Sequence, residues 1–307
     1  MAATKDRLGN NRAVHASLML LVLFWGLAFV AIKQALVHMS WITLTFLRFA
    51  LSDVLFIGYL TASRRLRPLP ARSDVPHLTL LAFAGFTGYH LFLNLGESNA
   101  SVTAGTAALI IASTPAFIAV LATALLHERL RRLQAAGIAL AFAGLGVMIF
   151  LARPESQFRF QASEGALAVI PSAVFSALYA VFGKRYLSRY PPVTLVAWTL
   201  LIGTALLLPL IAITAPTFLG DLQSMGIDGW VPVLFLAVFP TFLGYVIWFR
   251  ALARLPAASA AAYIYASTLV AVLGGIAILG EPLTVATAVG GAMVIAGVLA
   301  AQRLRGR

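Results

Sequence analysis

The stretch HERLRRLQAAGIALAFAG, residues 127–144, decides the fold because it recurs as GEPLTVATAVGGAMVIAG, residues 280–297. Glu128, Leu130, Gly137 and Gly144 correspond to Glu281, Leu283, Gly290 and Gly297 at a constant offset of 153. Two further anchors share nearly the same spacing. Ala112-Ser113-Thr114 returns as Ala266-Ser267-Thr268 at an offset of 154, and Phe24 through Lys33 aligns with Phe175 through Lys184 at 151. Self-similarity at a fixed offset near half the chain length signals an internal duplication.

Each copy is built from apolar segments. A bilayer-crossing helix needs about 20 predominantly apolar residues, and ten such segments are expected near Val14–Leu36, Ile42–Ala62, Pro76–Leu95, Thr103–Leu126, Leu133–Ala152, Gly165–Tyr186, Val193–Ile213, Gly229–Phe249, Pro256–Leu279 and Val285–Gln302. The predicted fold class is therefore an all-α polytopic membrane protein, ten transmembrane helices as two inverted five-helix repeats, residues 1–152 and 153–307. The inversion follows from parity: after five crossings the second copy enters from the other side. That architecture is common among secondary transporters, whose substrate site lies near the midplane between the halves.

Composition agrees. Of the 307 residues 61% are hydrophobic and 10% charged, against about 45–50% and about 25% in soluble domains, which excludes an ordinary soluble protein and a disordered chain alike. Cys is absent, so no disulfide or thiolate chemistry exists. The net charge of +12 resembles a nucleic-acid signature until the cations are located. Eighteen of the 22 Lys and Arg fall in one set of alternate segments, including both termini, while Arg153 and Arg159 occupy the opposite set. Basic residues collect on the cytoplasmic side, so both termini are expected in the cytoplasm and no nucleic-acid partner is implied. The basic, apolar first segment looks like a signal peptide, but its apolar run is too long and nine spans follow it. It is read as a retained helix.

Several motifs resemble a known family. Trp25-Gly26-x-x-Phe29-Val30-Ala31-Ile32-Lys33, Arg48-Phe49, Thr114-Pro115, Glu128-Arg129-Leu130 with Gln134 and Gly137, and Gly280-Glu281-Pro282-Leu283 with Gly290 and Gly297 are similar to the EamA domain of the drug/metabolite transporter superfamily. The resemblance extends over both halves. It implies a ten-helix inner-membrane carrier, generally an exporter of amino acids, metabolites or drugs. The ninth span carries Leu269 where the family has Pro, opposite Pro115 in the fourth.

Ionisable groups within the hydrocarbon are expensive and mark pathways. Four stand out: Lys33, Arg48, Asp53 and His90. With the termini inside, Lys33, Arg48 and His90 lie in the outer half, where cations suit a substrate carboxylate. Lys33 also lies close enough to its helix end to snorkel. Arg48 could line the pathway or cap carbonyls of a neighbouring helix, and Asp53 is a structural partner for a cation or a candidate proton-coupling site.

Polar faces at helical spacing extend the set. The third span offers Thr87, His90, Asn94 and Glu97 on one face, and Trp25 lies on the first. Tyr179, Tyr245 with Trp248, and Tyr263 lie on the sixth, eighth and ninth. Tyr hydroxyls several residues from a helix end need a partner inside the protein, and aromatic rings with few charges suit a partly apolar small molecule. Pro115 is expected to break the fourth span near the cavity.

Glu128 and Glu281 occupy equivalent positions on opposite sides, which favours a structural role at the starts of the fifth and tenth helices. Gly137, Ala141 and Gly144, with Gly290, Gly297 and Ala301, permit close helix contact within the monomer or in a homodimer.

Other classes fit less well. His127-Glu128 lacks the second His of H-E-x-x-H, and neither G-x-S-x-G nor a P-loop occurs, so a membrane-embedded enzyme or an ATP-driven pump has no constellation to work with. A channel or lipid translocator shares the need for polar interior faces. The expectation is a secondary transporter of the inner membrane that exports amino acids or related small metabolites by alternating access, with no cofactor and no metal.

Overall fold

The structure is a computed structural model, and it describes residues 2–64, 69–126, 132–151, 163–183, 186–252 and 257–302. Among these every regular element is helical. Helices α1 (Ala2–Ala35) and α2 (Trp41–Ala62) are followed by α3 (Val75–Ala82) and α4 (Tyr89–Ser98), which a π-helical segment, Phe83–Gly88, joins into one rod. Next come α5 (Ala104–Ile111), α6 (Thr114–Leu126) and α7 (Arg132–Leu151). Helices α8 (Glu164–Gly183), α9 (Pro192–Ile213) and the short α10 (Ala215–Ser224) open the second half. A second rod consists of α11 (Ile227–Leu236), the π segment Ala237–Leu243 and α12 (Gly244–Leu252), and α13 (Ala257–Leu279) and α14 (Val285–Gln302) close the chain.

Eight helical stretches among the described residues are long and apolar enough to cross a membrane, from Val14–Ala35 to Ile227–Trp248, and Tyr265–Leu279 and Val285–Ala300 are shorter apolar helices. The chain is a multi-pass membrane protein. In hydrocarbon every backbone group must be satisfied internally, and the helix starts show how. Ser40 Oγ accepts from Thr43 N at 3.2 Å and Thr103 Oγ1 from Thr106 N at 3.0 Å, capping α2 and α5. Asp221 of α10 accepts from Ser40 N at 2.9 Å and Thr43 Oγ1 at 2.6 Å, which ties α10 to the start of α2. Large apolar side chains such as Leu269, Leu273 and Val289 face outward, as a bilayer requires and water does not allow over so wide a surface.

Packing pairs the two halves. Helix α1 lies on α13 and on α11–α12, α8 on α6 and α4, α2 on α9, α5 on α13, and α7 on α14. The α7–α14 contact is made by glycines: a Cβ at Gly144 would meet Gly290 O at 2.5 Å, and one at Gly297 would run into Gly137 O. Small residues there let backbones touch, the packing that replaces hydrophobic driving force within lipid. These glycine faces therefore meet within the chain.

The fourth segment is interrupted at Ala112 and Ser113, with Pro115 the second residue of α6. Pro115 has no N–H to give back to Ile111, whose carbonyl instead accepts from Thr114 Oγ1 at 2.7 Å. At the matching place α13 carries Leu269, which has its N–H, and runs unbroken.

Candidate functional site

The π segment Ala237–Leu243 organises the polar interior. A π turn leaves carbonyls without their usual i+4 donors, and Pro240 removes one donor more. The freed groups are used by neighbouring helices. Trp25 Nε1 of α1 donates to Pro240 O at 3.0 Å, and Ser52 Oγ of α2 donates to Ala237 O at 3.0 Å. Thr241 Oγ1 donates to Leu236 O at 2.8 Å and accepts from Arg48 Nε at 2.7 Å.

Arg48 is 5% exposed. Its Nε is fixed by Thr241, while its two terminal amino groups donate to nothing among the described residues and are not sealed off from the interior space. A guanidinium held at one nitrogen, with its planar fork free, is suited to a carboxylate. Tyr89, Tyr245 and Glu97 lie within its electrostatic reach.

Around it the sequence-predicted residues converge. His90 is buried, bonds Phe86 O through Nδ1 at 3.0 Å, and meets the rings of Phe49 and Tyr89 at 4.8 Å and 4.6 Å. Asn94 Nδ2 donates to Thr45 Oγ1 at 2.8 Å, and its Oδ1 is buried without a donor. Phe86 links two candidate tyrosines, with ring centroids 5.7 Å from Tyr179 and 5.5 Å from Tyr245. Tyr245 and Trp248 flank Trp25 at 6.2 Å and 5.4 Å. The Tyr179 hydroxyl lies toward Thr199, and its ring lies directly on Gly85, where no side chain fits. The result is an aromatic wall beside a buried guanidinium.

Three predicted residues lie elsewhere. Tyr263 OH meets His15 Nδ1 at 2.7 Å near the amino-terminal part of α1, an exposed position. Lys33 Nζ, toward the other end of α1, donates to Asn99 O at 3.1 Å. Asp53 is buried between α2 and α9, where Oδ2 accepts from Thr204 Oγ1 at 2.5 Å and Oδ1 has no donor. Glu128 and Lys184 lie outside the described residues.

Glu281 departs from expectation. Instead of bracing α14, which follows it, both its carboxylate oxygens accept from Ala104 N, at 3.0 Å and 2.9 Å, at the start of α5. Gly280, with φ +66°, turns the chain so that the carboxylate lies against Gly275. A negative charge at a helix N-terminus is favourable, and here it joins the turn between α13 and α14 to α5.

Glu97, the last residue of the polar face on the third span, lies deeper than a place beyond the span's end implies. The third span was expected to end at Leu95, but α4 continues to Ser98 and buries Glu97 to 1% exposure. It continues the polar face of Thr87, His90 and Asn94, three residues after Asn94 and seven after His90.

Comparison with known proteins agrees with this architecture. The model of the EamA-like transporter family matches residues 14–150 and again 163–301. An uncharacterized transporter of Archaeoglobus fulgidus is 34% identical over 94% of this chain and 98% of its own. A probable terminal-alkyne amino-acid exporter of Streptantibioticus cattleyicolor is 32% identical over 95% and 94%, and a probable amino-acid metabolite efflux pump of Salmonella typhimurium is 31% identical over 91% of each chain. A solved crystal structure superposes with a TM-score of 0.65 at 21% identity, covering 96% of this chain and 99% of that one, a likeness of fold. With both halves matched by one transporter model, the chain belongs to the EamA-like transporter family of the drug/metabolite transporter superfamily.

Proposed function

We propose that this transporter exports amino acids or related small metabolites by alternating access, and that the substrate carboxylate is held by Arg48. The observation that carries the reading is the Arg48 guanidinium, buried beside an aromatic wall and tethered through Nε alone to Thr241. An arginine in that setting is costly without a task. Aromatic rings of Trp25, Phe86, Tyr179, Tyr245 and Trp248 suit an apolar side chain on the same molecule. The names of the exporter from Streptantibioticus cattleyicolor and the efflux pump from Salmonella typhimurium support the substrate class.

Alternating access requires two related halves that rock against each other. The reading takes residues 1–152 and 153–307 as inverted five-helix repeats, ten spans in all, with both termini cytoplasmic in the inner membrane. Its support is reciprocal packing. The two π segments start at Phe83 and Ala237, 154 residues apart, and each places a threonine against the partner half, Thr87 on Gly203 O at 2.9 Å and Thr241 on Arg48. Gly144 meets Gly290, and their counterparts at an offset of 153, Gly297 and Gly137, meet as well. Asp53 bonds Thr204, 151 residues on, the offset that relates α1 to α8.

The test is counterflow of labelled amino acids into liposomes holding the purified protein, with Arg48→Ala and Tyr179→Phe beside the natural chain. Saturable counterflow that Arg48→Ala weakens at least tenfold is expected. Ohmic ion current in place of counterflow rejects the carrier reading, and unchanged affinity and rate in both variants reject the site.

A further inference from the structure

Glu97 has no part in the pathway just described, yet it is the most deeply isolated charge-bearing group in the chain's described interior. It is 1% exposed, and both carboxylate oxygens lack any hydrogen-bond donor. Asp53 differs, since one of its oxygens receives the Thr204 hydroxyl. An ionised carboxylate removed from water without donors is strongly disfavoured, a cost that a bound proton relieves.

The charged groups facing Glu97 come from three of the elements around it: Lys33 on α1, Arg48 on α2, and Glu281 on the turn between α13 and α14. Helix α8 packs on Gly96 and carries Glu164, which is exposed, while α5 and the segment Phe83–Gly88 contain no ionisable residue. Each of the three facing groups has a hydrogen bond to something else. Lys33 donates to Asn99 O, Arg48 to Thr241, and Glu281 accepts from Ala104 N. The Glu97 oxygens have no accessible surface, so neither a substrate nor a hydrated metal ion reaches them in this conformation.

The matching position of the other half makes the site one-sided. At the offset of 153 Glu97 corresponds to Arg250, which is exposed and donates to Tyr59 OH at 3.2 Å. A buried acid thus stands in the first half opposite an open cation in the second.

We propose that Glu97 is a proton-binding site that couples transport to the proton gradient. It rests on the alternating-access reading. While α1, α4 and the α13–α14 turn are together, the Glu97 carboxyl holds a proton. When they part, water enters, the carboxyl O–H bond breaks, the proton leaves to water, and the Lys33 ammonium turns from the Asn99 carbonyl to the new carboxylate. In the opposite-facing state the carboxylate takes a proton from water on the other side of the membrane and the Lys33 ammonium returns to the Asn99 carbonyl, so one proton crosses per cycle through a group distinct from the Arg48 site.

Infrared difference spectroscopy of the reconstituted protein, stepped between acidic and alkaline buffer, tests the site without a substrate. A carboxylic-acid C=O band that disappears in Glu97→Gln, persists in Asp53→Asn and shifts in Glu97→Asp is the expected result; a band unchanged in Glu97→Gln overturns the proposal. The second arm uses the amino acid found by counterflow. Glu97→Gln should retain counterflow and lose all acceleration by an imposed pH gradient, whereas full gradient-driven uptake in Glu97→Gln overturns the coupling role. Absence of counterflow in the natural chain defeats the carrier reading alone, because the infrared arm still decides whether Glu97 binds the proton.

Discussion

Thr241→Val removes one hydroxyl, preserves shape, and probes the joint on which the proposed site depends. The hydroxyl makes two bonds in the structure, donation to Leu236 O at 2.8 Å and acceptance from Arg48 Nε at 2.7 Å. The second is charge-assisted, worth about 1.5–3 kcal/mol in soluble proteins. Interhelical hydrogen bonds in a membrane protein average only about 0.6 kcal/mol, because the alternative states also find partners. Between these limits the loss is about 1–2 kcal/mol, a factor of roughly 5–30 in an equilibrium constant. That loss should appear in substrate affinity, since Arg48 freed at Nε samples geometries that do not present its fork. Half-saturation of counterflow is the assay, with the midpoint of thermal unfolding in detergent measured alongside. Thr241→Ser keeps the hydroxyl and should retain affinity within about twofold of the natural chain, less than 1 kcal/mol. Equal half-saturation in Thr241→Val and the natural chain would refute the claim that Thr241 positions Arg48. An equal loss in Thr241→Ser would refute the hydroxyl as the cause.

Two further outcomes follow from packing and charge. Gly290→Ala places a Cβ 2.7 Å from both Gly144 O and Met148 Cγ, so thermal unfolding should fall by the equivalent of about 1–3 kcal/mol, while Gly146→Ala, with nothing within 4 Å, should leave it unchanged. Outside the membrane, the Tyr190 hydroxyl at 2.9 Å and then Arg189 at 2.7 Å hold the Asp74 carboxyl below the usual carboxylate range. A carboxyl depressed on folding contributes stability above its unfolded value of about 3.9 and loses it as pH falls through the lower folded value. Thermal unfolding of the natural chain should therefore drop more steeply below about pH 4 than that of Asp74→Asn, and parallel acid profiles would contradict this.

Much of the architecture was legible because a bilayer admits few solutions. Segments of about 20 apolar residues must be helices, and the Glu128 and Glu281 stretches exposed the duplication. Arg48, His90 and the tyrosines were legible for a related reason, since polarity in an apolar setting needs a partner. The partners themselves were not. Nothing local in AVFPTFL announces a π segment whose carbonyls serve Trp25 and Ser52. Glu281 looked like a brace for the helix beside it, and only the fold brought it to Ala104, 177 residues away. Tyr263 passed the same periodicity test as Tyr179, but the α1–α13 packing gave it to His15.

Sequence alone determined that the chain lies in the membrane, that its halves are related, and which polar residues demanded explanation, because the cost of burying charge and backbone in hydrocarbon is paid residue by residue. Tertiary structure alone decided which of those residues lie together. Glu97 shows why: three residues after Asn94 it reads as the end of a span, and only the packing of α8, α2, α1 and α5 on α4 removes water from a carboxylate that the sequence leaves at the membrane edge.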